Sequence, residues 1–294
     1  MVACDYIQPL NESVHQLARL AFAEDLPAGD VTANALNLSG KRVSARVMTR
    51  QSGIMVGECW LQAVLDAFQP YAKQDMRVTA KKRDGAAIQS GDVLFDLQGD
   101  SADLLAFERT FLNFLGRGMG IAIKTKAFVD LVRSLGCNAA VLDTRKTLPG
   151  FRYFDKYAVL CGGGQNHRMN LSDQVLIKEN HIASFGGVAE AVQYARERTP
   201  KQIPIEIEVQ NFDQLRQALD AGCRLIMLDN FKPVHVHEAC SWPRNGAEFE
   251  VSGGISLENI SHYCHPTLDR ISIGSLTHSV KAPDITLLVN EEAS

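Results

Sequence analysis

The sequence predicts an α/β chain in two parts. A helix-flanked mixed or antiparallel sheet runs to about residue 100, and an open, incomplete parallel β/α barrel follows. Three observations carry this reading. Early strands alternate apolar and polar residues, as half-buried strands do. After Ser101 a beat of apolar run, polar tip and helical pattern repeats, the mark of parallel β/α units. The later runs are apolar almost throughout, as strands covered on both faces must be.

In order, residues 11–26 fit an amphipathic helix: Val14, Leu17, Ala18, Ala21 and Phe22 recur at helical spacing, with Asn11 or Ser13 as cap. Pro27-Ala-Gly-Asp-Val-Thr breaks it. Residues 42–49 read as a strand with Val43, Ala45 and Val47 on one face, 58–68 as a helix, 77–81 and 93–97 as strands between turns at Asp84-Gly85 and Ser90-Gly91-Asp92. Residues 102–115 and 121–135 read as two consecutive helices. Strands at 140–142, 175–177, 203–207, 225–228, 249–251 and 271–273 follow, with helices at 188–198, 212–221 and 257–264. The strands end in Asp143-Thr-Arg-Lys, Lys178, Glu208, Asp229-Asn230, Ser252-Gly253-Gly254 and Gly274-Ser275. In β/α barrels chemistry sits at the C-terminal strand ends, so this convergence is a site signal. Fewer than eight strands make the barrel incomplete.

The 294 residues are 46% hydrophobic and 22% charged, with a formal net charge of -4. That balance disfavours a nucleic-acid binder, so anion capture must be local. It falls between Asp143 and Ile182, where Arg145, Lys146, Arg152, Lys156, His167, Arg168, Lys178 and His181 are interrupted by Gly162-Gly-Gly. Arg presents a planar fork to carboxylate or phosphate and Lys a mobile charge. The expected ligand is a small polyacid. Late glycines at 253, 254 and 274 suit a phosphate. Glu208 and Asp229 offer hard oxygens, enough for Mg²⁺. A Schiff-base role for Lys146 or Lys178 is disfavoured by the neighbouring cations. His235-Val-His237 with Cys240, and His262-Tyr-Cys264-His265, lack the paired spacing of structural zinc. Seven scattered cysteines, no apolar run long enough to span a bilayer and no basic-apolar leader pattern point to a reducing, cytoplasmic setting without membrane contact.

Taken together, Glu108-Arg-Thr-Phe-Leu-Asn113, Asp143-Thr-Arg-Lys-Thr-Leu-Pro-Gly150, Gly162-Gly-Gly-Gln-Asn-His-Arg168, Leu176-Ile-Lys-Glu-Asn-His-Ile182, Glu206-Ile-Glu-Val209, Met227-Leu-Asp-Asn230, Ser252-Gly-Gly-Ile255 and Ile271-Ser-Ile-Gly-Ser-Leu-Thr277 closely resemble the quinolinate phosphoribosyltransferases, also called nicotinate-nucleotide pyrophosphorylases (carboxylating). The resemblance runs nearly end to end. It implies an N-terminal α/β sandwich (1–117, with the tail 278–294 packing back on it) and an open α/β barrel of about seven strands (118–277).

It also implies a reaction: quinolinate plus phosphoribosyl pyrophosphate gives nicotinate mononucleotide, pyrophosphate and CO₂, with Mg²⁺. Carried over by position, Arg145, His167, Arg168 and Lys178 would bind the quinolinate carboxylates, and Lys146 would lie between quinolinate and the phosphoribosyl group. Glu208 and Asp229 would face the ribose hydroxyls and Mg²⁺, directly or through water; Lys146, Glu208 and Asp229 would be catalytic. Ser252, Gly253, Gly254 and Gly274 would hold the 5′-phosphate. Arg109 would reach the partner's site in a homodimer. The chain departs from the family pattern at Gly118-Met119-Gly-Ile-Ala-Ile123, Phe151 and Asp155. Two other readings remain: a related transferase acting on another acid such as nicotinate, and a non-catalytic phosphosugar sensor.

Overall fold

In the computed structural model, which describes residues 4–290, Leu10, Val14, Ala18 and Phe22 are fully buried. Their fourfold spacing makes α1 (Cys4–Asp25) amphipathic, and the stripe carries the helix upstream of Asn11. Asp30 then caps the short α2 (Val31–Ala35), its carboxylate accepting the N–H groups of Thr32 and Ala33 at 2.8 and 3.0 Å. β1 (Arg42–Thr49), β2 (Gly53–Ile54), α3 (Leu61–Phe68), β3 (Arg77–Ala80), β4 (Ala87–Ile88) and β5 (Val93–Asp100) follow, then α4 (Ser101–Ser134). The second half runs β6 (Ala140–Leu142), α5 (Arg152–Cys161), β7 (Val175–Ile177), α6 (Glu179–Phe185), α7 (Val188–Arg198), β8 (Ile205–Val209) and α8 (Phe212–Asp220). It continues with β9 (Leu225–Asp229), α9 (Pro233–Cys240), β10 (Glu248–Ser252), β11 (Arg270–Ser272), α10 (Ser275–His278) and β12 (Ile285–Asn290).

The chain divides into two units. The first comprises the chain up to Lys126, Thr147–Gly163, and the chain from Ser279 onward. Its main sheet is antiparallel, in the order β12-β1-β5-β3, with β2 and β4 as a separate pair. The C-terminal strand β12 therefore forms an edge of this sheet, with Ser44 opposite Asn290 and Thr49 opposite Ile285. Phe22, Trp60, Phe68, Phe95, Phe107 and Phe111 fill the core. Thr147–Gly163 is tied in by the Tyr157 hydroxyl, which donates to Asp84 at 2.7 Å, and by Ser13 Oγ, which donates to the Gly150 carbonyl at 3.2 Å.

The sequence suggested a break between two helices at Gly116-Arg-Gly-Met-Gly120. α4 instead runs through it without interruption. These glycines serve close approach, which offsets their cost in a helix. A Cβ on Gly120 would press on the Lys281 carbonyl, and one on Gly118 would lie 2.9 Å from Val56. Met119 is fully buried and Ile123 packs over Gly53. Phe151 stacks with Phe114, and Asp155 accepts two bonds from the Arg117 guanidinium at 2.7 and 2.6 Å. The departures from the family pattern thus make a self-consistent packing set inside the first unit.

The second unit, Ala127–Lys146 and Gly164–His278, is built on one parallel sheet in the order β6-β11-β10-β9-β8-β7. β6 and β7 are unpaired with each other, so the barrel is open. Six strands form it rather than the expected seven. Gln165 adds a single parallel bridge beside Leu142, with its N–H on the Val141 carbonyl at 2.8 Å. The helix expected at 257–264 is reduced to one 3-10 turn at Ile260–His262, where only Ile260 is buried. Among the described residues, no helix is long and apolar enough to cross a membrane.

Candidate active site

Side chains two apart on a strand share a face. On β8, Ile207 and Val209 are fully buried while Glu206 and Glu208 point the other way, Glu206 deep and Glu208 half-buried at the strand end. Parallel pairing sets the next strands in register: Glu208 opposite Met227, Asp229 opposite Ser252, and Ser252 opposite Ser272. Lys178 follows β7 directly. Strand geometry thus gathers Lys178, Glu208, Asp229 and Ser252 into a ring at the C-terminal ends.

The ring is internally paired. Lys178 Nζ donates to Glu208 at 2.8 Å, and Asn230 Nδ2 donates to Asp229 at 2.9 Å. Asn230 itself has φ of 56° and its N–H rests on the Ser252 carbonyl at 2.9 Å. Gly253 (φ 107°) and Gly254 (φ 63°) turn the chain sharply after β10, and a Cβ at Gly253 would collide with the Asn230 side chain. At the other end of the ring, a Cβ on Gly274 would lie 3.1 Å from Lys146 Cδ and 3.3 Å from His278. Thr277 Oγ1 holds the Lys146 carbonyl at 2.8 Å. Lys146 and Gly274 therefore meet where β6 and β11 run side by side.

Arg145 is half-buried and Arg168 buried. They are close enough that, after burial itself, Arg145 is the main influence pulling Arg168 below the usual guanidinium range; Glu206, Asp173 and Glu208 oppose the shift. Two neighbouring guanidiniums, one desolvated, make a place where an anion with two carboxylates relieves repulsion. Arg152 and Lys156 belong to the first unit instead, Arg152 donating to Thr147 at 3.3 Å and Lys156 fully buried in α5. His181 caps α6, its Nδ1 accepting the Lys178 N–H at 3.0 Å.

His167 is brought to this region but turned inward. Its Nδ1 accepts the Arg168 N–H at 2.8 Å, and Nε2 faces Glu206 at 3.0 Å and Glu250 at 3.5 Å. The imidazole thus lies beneath the ring of strand-end side chains, with Nδ1 hydrogen-bonded and Nε2 in charge contact with the two buried carboxylates. The sequence reading missed this layer: Asp143, Gln174, Glu206 and Glu250 are all buried. Its available signal was the second Glu of Ile205-Glu-Ile-Glu-Val209 on the face of the first. The His/Cys groupings hold no comparable cluster. His237 Nε2 meets the His262 carbonyl at 3.0 Å, His265 Nδ1 meets Thr267 at 3.0 Å, and His235 packs on Phe212 and Phe231.

Family models place the chain. The C-terminal domain of quinolinate phosphoribosyl transferase matches residues 121–288, and its N-terminal domain matches residues 30–118. The chain belongs to the quinolinate phosphoribosyltransferase family. It is 40% identical over 281 residues to the nicotinate-nucleotide pyrophosphorylase [carboxylating] of Mycobacterium leprae, covering 94% of this chain and 97% of that protein. It is 35% identical to quinolinate phosphoribosyltransferase [decarboxylating] 1 of Nicotiana glauca, covering 96% and 83%. Among solved structures, the nicotinate-nucleotide pyrophosphorylase of Francisella tularensis superposes with a TM-score of 0.88 at 38% identity, covering 95% of this chain and 97% of that one. Arg109, the remaining residue singled out by the family motifs, lies exposed on α4 in the first unit, its guanidinium 3.8 Å from Glu108.

Proposed function

We infer that the chain transfers the phosphoribosyl group of phosphoribosyl pyrophosphate to quinolinate and decarboxylates the product, giving nicotinate mononucleotide, pyrophosphate and CO₂ in NAD biosynthesis. The observation that carries this is the adjacency of Arg145 and buried Arg168 beside a ring of Lys178, Glu208 and Asp229. A monocarboxylate would satisfy one guanidinium; a vicinal dicarboxylate can engage both.

In this reading Arg145, Arg168 and Lys178 hold the two quinolinate carboxylates and aim the ring nitrogen at the anomeric carbon. Ser252, Gly253, Gly254 and Gly274 cradle the 5′-phosphate, where positive φ lets the backbone approach closely. Lys146, beside Gly274, stands between phosphate and acceptor. Pyrophosphate departs with the C–O bonding pair, leaving an oxocarbenium-like centre that Glu208 and Asp229 stabilise electrostatically. The quinolinate nitrogen then forms the new N–C bond and becomes a pyridinium. That positive nitrogen stabilises the electron pair left on the adjacent ring carbon when CO₂ leaves, and a proton completes the product.

Glu208 and Asp229 also suit Mg²⁺: both offer hard carboxylate oxygens, and both are half-buried at adjacent strand ends. Bound there, directly or through water, the ion would neutralise charge on the leaving pyrophosphate. The working assembly is a homodimer in which Arg109 adds a cation to the partner's site. A cytoplasmic setting accords with the six free cysteines among the described residues. The test is product formation from phosphoribosyl pyrophosphate and Mg²⁺ with either quinolinate or nicotinate. CO₂ release with quinolinate and little nucleotide from nicotinate is expected; preference for nicotinate would support the related transferase, and no product from either the sensor.

A further inference from the structure

We propose that Glu206 is a positioning residue for quinolinate, fixing Arg168 at two points through His167 and Gln174. This rests on the reading that Arg168 holds a quinolinate carboxylate. One arm runs from Gln174 Nε2, which donates to Glu206 Oε2 at 2.6 Å, to the main-chain carbonyl of Gln174, which accepts Arg168 Nη1 at 3.0 Å. The other runs from the same carboxylate oxygen to His167 Nε2 at 3.0 Å, and from His167 Nδ1 to the Arg168 N–H at 2.8 Å. Glu206 thereby governs both the backbone and the guanidinium of one residue. Asp143 steadies the loop from its other side, accepting the His167 N–H and the Asn166 side chain, each at 3.0 Å.

The same contacts orient a compact buried cluster. His167, Glu206 and Glu250 bring their ligand atoms within 4.8 Å of one another, close enough to hold a metal. A metal would need the Nε2 lone pair of a neutral imidazole, whose proton would then sit on Nδ1 and oppose the Arg168 N–H. Because Nδ1 accepts that N–H, the ring presents Nε2 to the two carboxylates, 3.0 Å from Glu206 and 3.5 Å from Glu250, as a charge contact and not an aligned hydrogen bond. Glu250, 1% exposed, completes the cluster, with Arg270 at 3.7 Å on its far oxygen. Burial and the Glu206 charge push Glu250 up to about 7.

Arg reads a carboxylate through the direction of its fork, so a freely rotating Arg168 would bind quinolinate less well. The test compares steady-state KM values for quinolinate and phosphoribosyl pyrophosphate in Glu206→Ala, Glu206→Gln, Arg168→Ala and the Glu206→Ala/Arg168→Ala double variant. Glu206→Ala should raise the quinolinate KM about tenfold while leaving the other KM within about twofold. Glu206→Gln should recover most of the loss, since its amide oxygen can still accept from Gln174 and its side chain keeps the volume beside His167. In the double variant, removing Glu206 should add nothing to the loss already caused by Arg168→Ala. Should Glu206→Ala fail to fold, Gln174→Ala takes its place, with a several-fold rise expected in the quinolinate KM alone. Equal effects on both KM values, full additivity, or an unchanged quinolinate KM in a folded variant would overturn the proposal. An unchanged quinolinate KM in Arg168→Ala would remove the underlying assignment of Arg168, and the proposal with it.

Discussion

Two layers of the second unit, one residue pair apart on the same strands, differ in what their polar groups face. Glu208, Asp229 and Lys178 stand at the strand ends, where a ligand can reach them. Glu206 and Glu250, two residues below Glu208 and Ser252, are 0% and 1% exposed and face His167, Gln174 and Arg270. In the proposed reading, the same side-chain chemistry serves ligand and charge above, and orientation below. Depth along a strand separates the two: the upper carboxylates can be compensated by water or a ligand, while the lower ones depend on charge contacts with His167 and Arg270 and the Gln174 amide.

Variants in the upper layer should act on the chemical step. Glu208→Gln and Asp229→Asn are expected to lower turnover by roughly 10²-fold or more, with quinolinate affinity changed far less. Steady-state kinetics at saturating Mg²⁺ check this, and wild-type turnover in both would remove the distinction between layers. The ring is also expected to be incomplete within one chain. Arg109→Ala and Lys146→Ala proteins should each be nearly inactive. Equal mixing with demonstrated subunit exchange should restore roughly a quarter of the wild-type sites, because half the dimers carry one intact site. No rise in activity would confine each site to a single chain.

Smaller effects belong to the layer beneath. Glu250 is held at about 7 against an ordinary 4.5, first by burial and then by Glu206, with His167, Ser272 and Arg270 acting the other way. A carboxyl raised in the folded state keeps a proton that the unfolded chain has released. Its contribution to stability is therefore full below about pH 4.5 and lost as pH rises through about 7. The melting temperature of the wild type should fall across this window more than that of Glu250→Gln, whose side chain cannot ionise. Parallel curves would place the titrating group elsewhere.

Much of the upper layer was legible in the sequence. Charged residues directly after apolar runs, at Lys178, Glu208 and Asp229, announce strand ends, and alternation on β8 puts Glu206 and Glu208 on one face. The lower layer was not legible, because a charged residue inside an apolar strand reads as a strand end or an exposed edge until its partners are known. His167 follows Gln165, whose bridge to Leu142 is a contact between segments that no local pattern encodes. Likewise, the glycines of α4 read as a helix break, since the residues they admit, Val56 and Lys281, are distant in sequence. The strand β12 offered too short an alternation to name its partner β1.

The upper layer's assignment to a dicarboxylate can be tested by calorimetric titration of quinolinate and of nicotinate into the wild type and Arg145→Ala. Quinolinate should bind the wild type at least about tenfold more tightly than nicotinate. Arg145→Ala should erase most of that difference, consistent with one charge-assisted contact worth roughly 1.5–3 kcal/mol. Equal affinities in the wild type, or a preference for quinolinate that survives in Arg145→Ala undiminished, would contradict the placement of quinolinate on the Arg145–Arg168 pair.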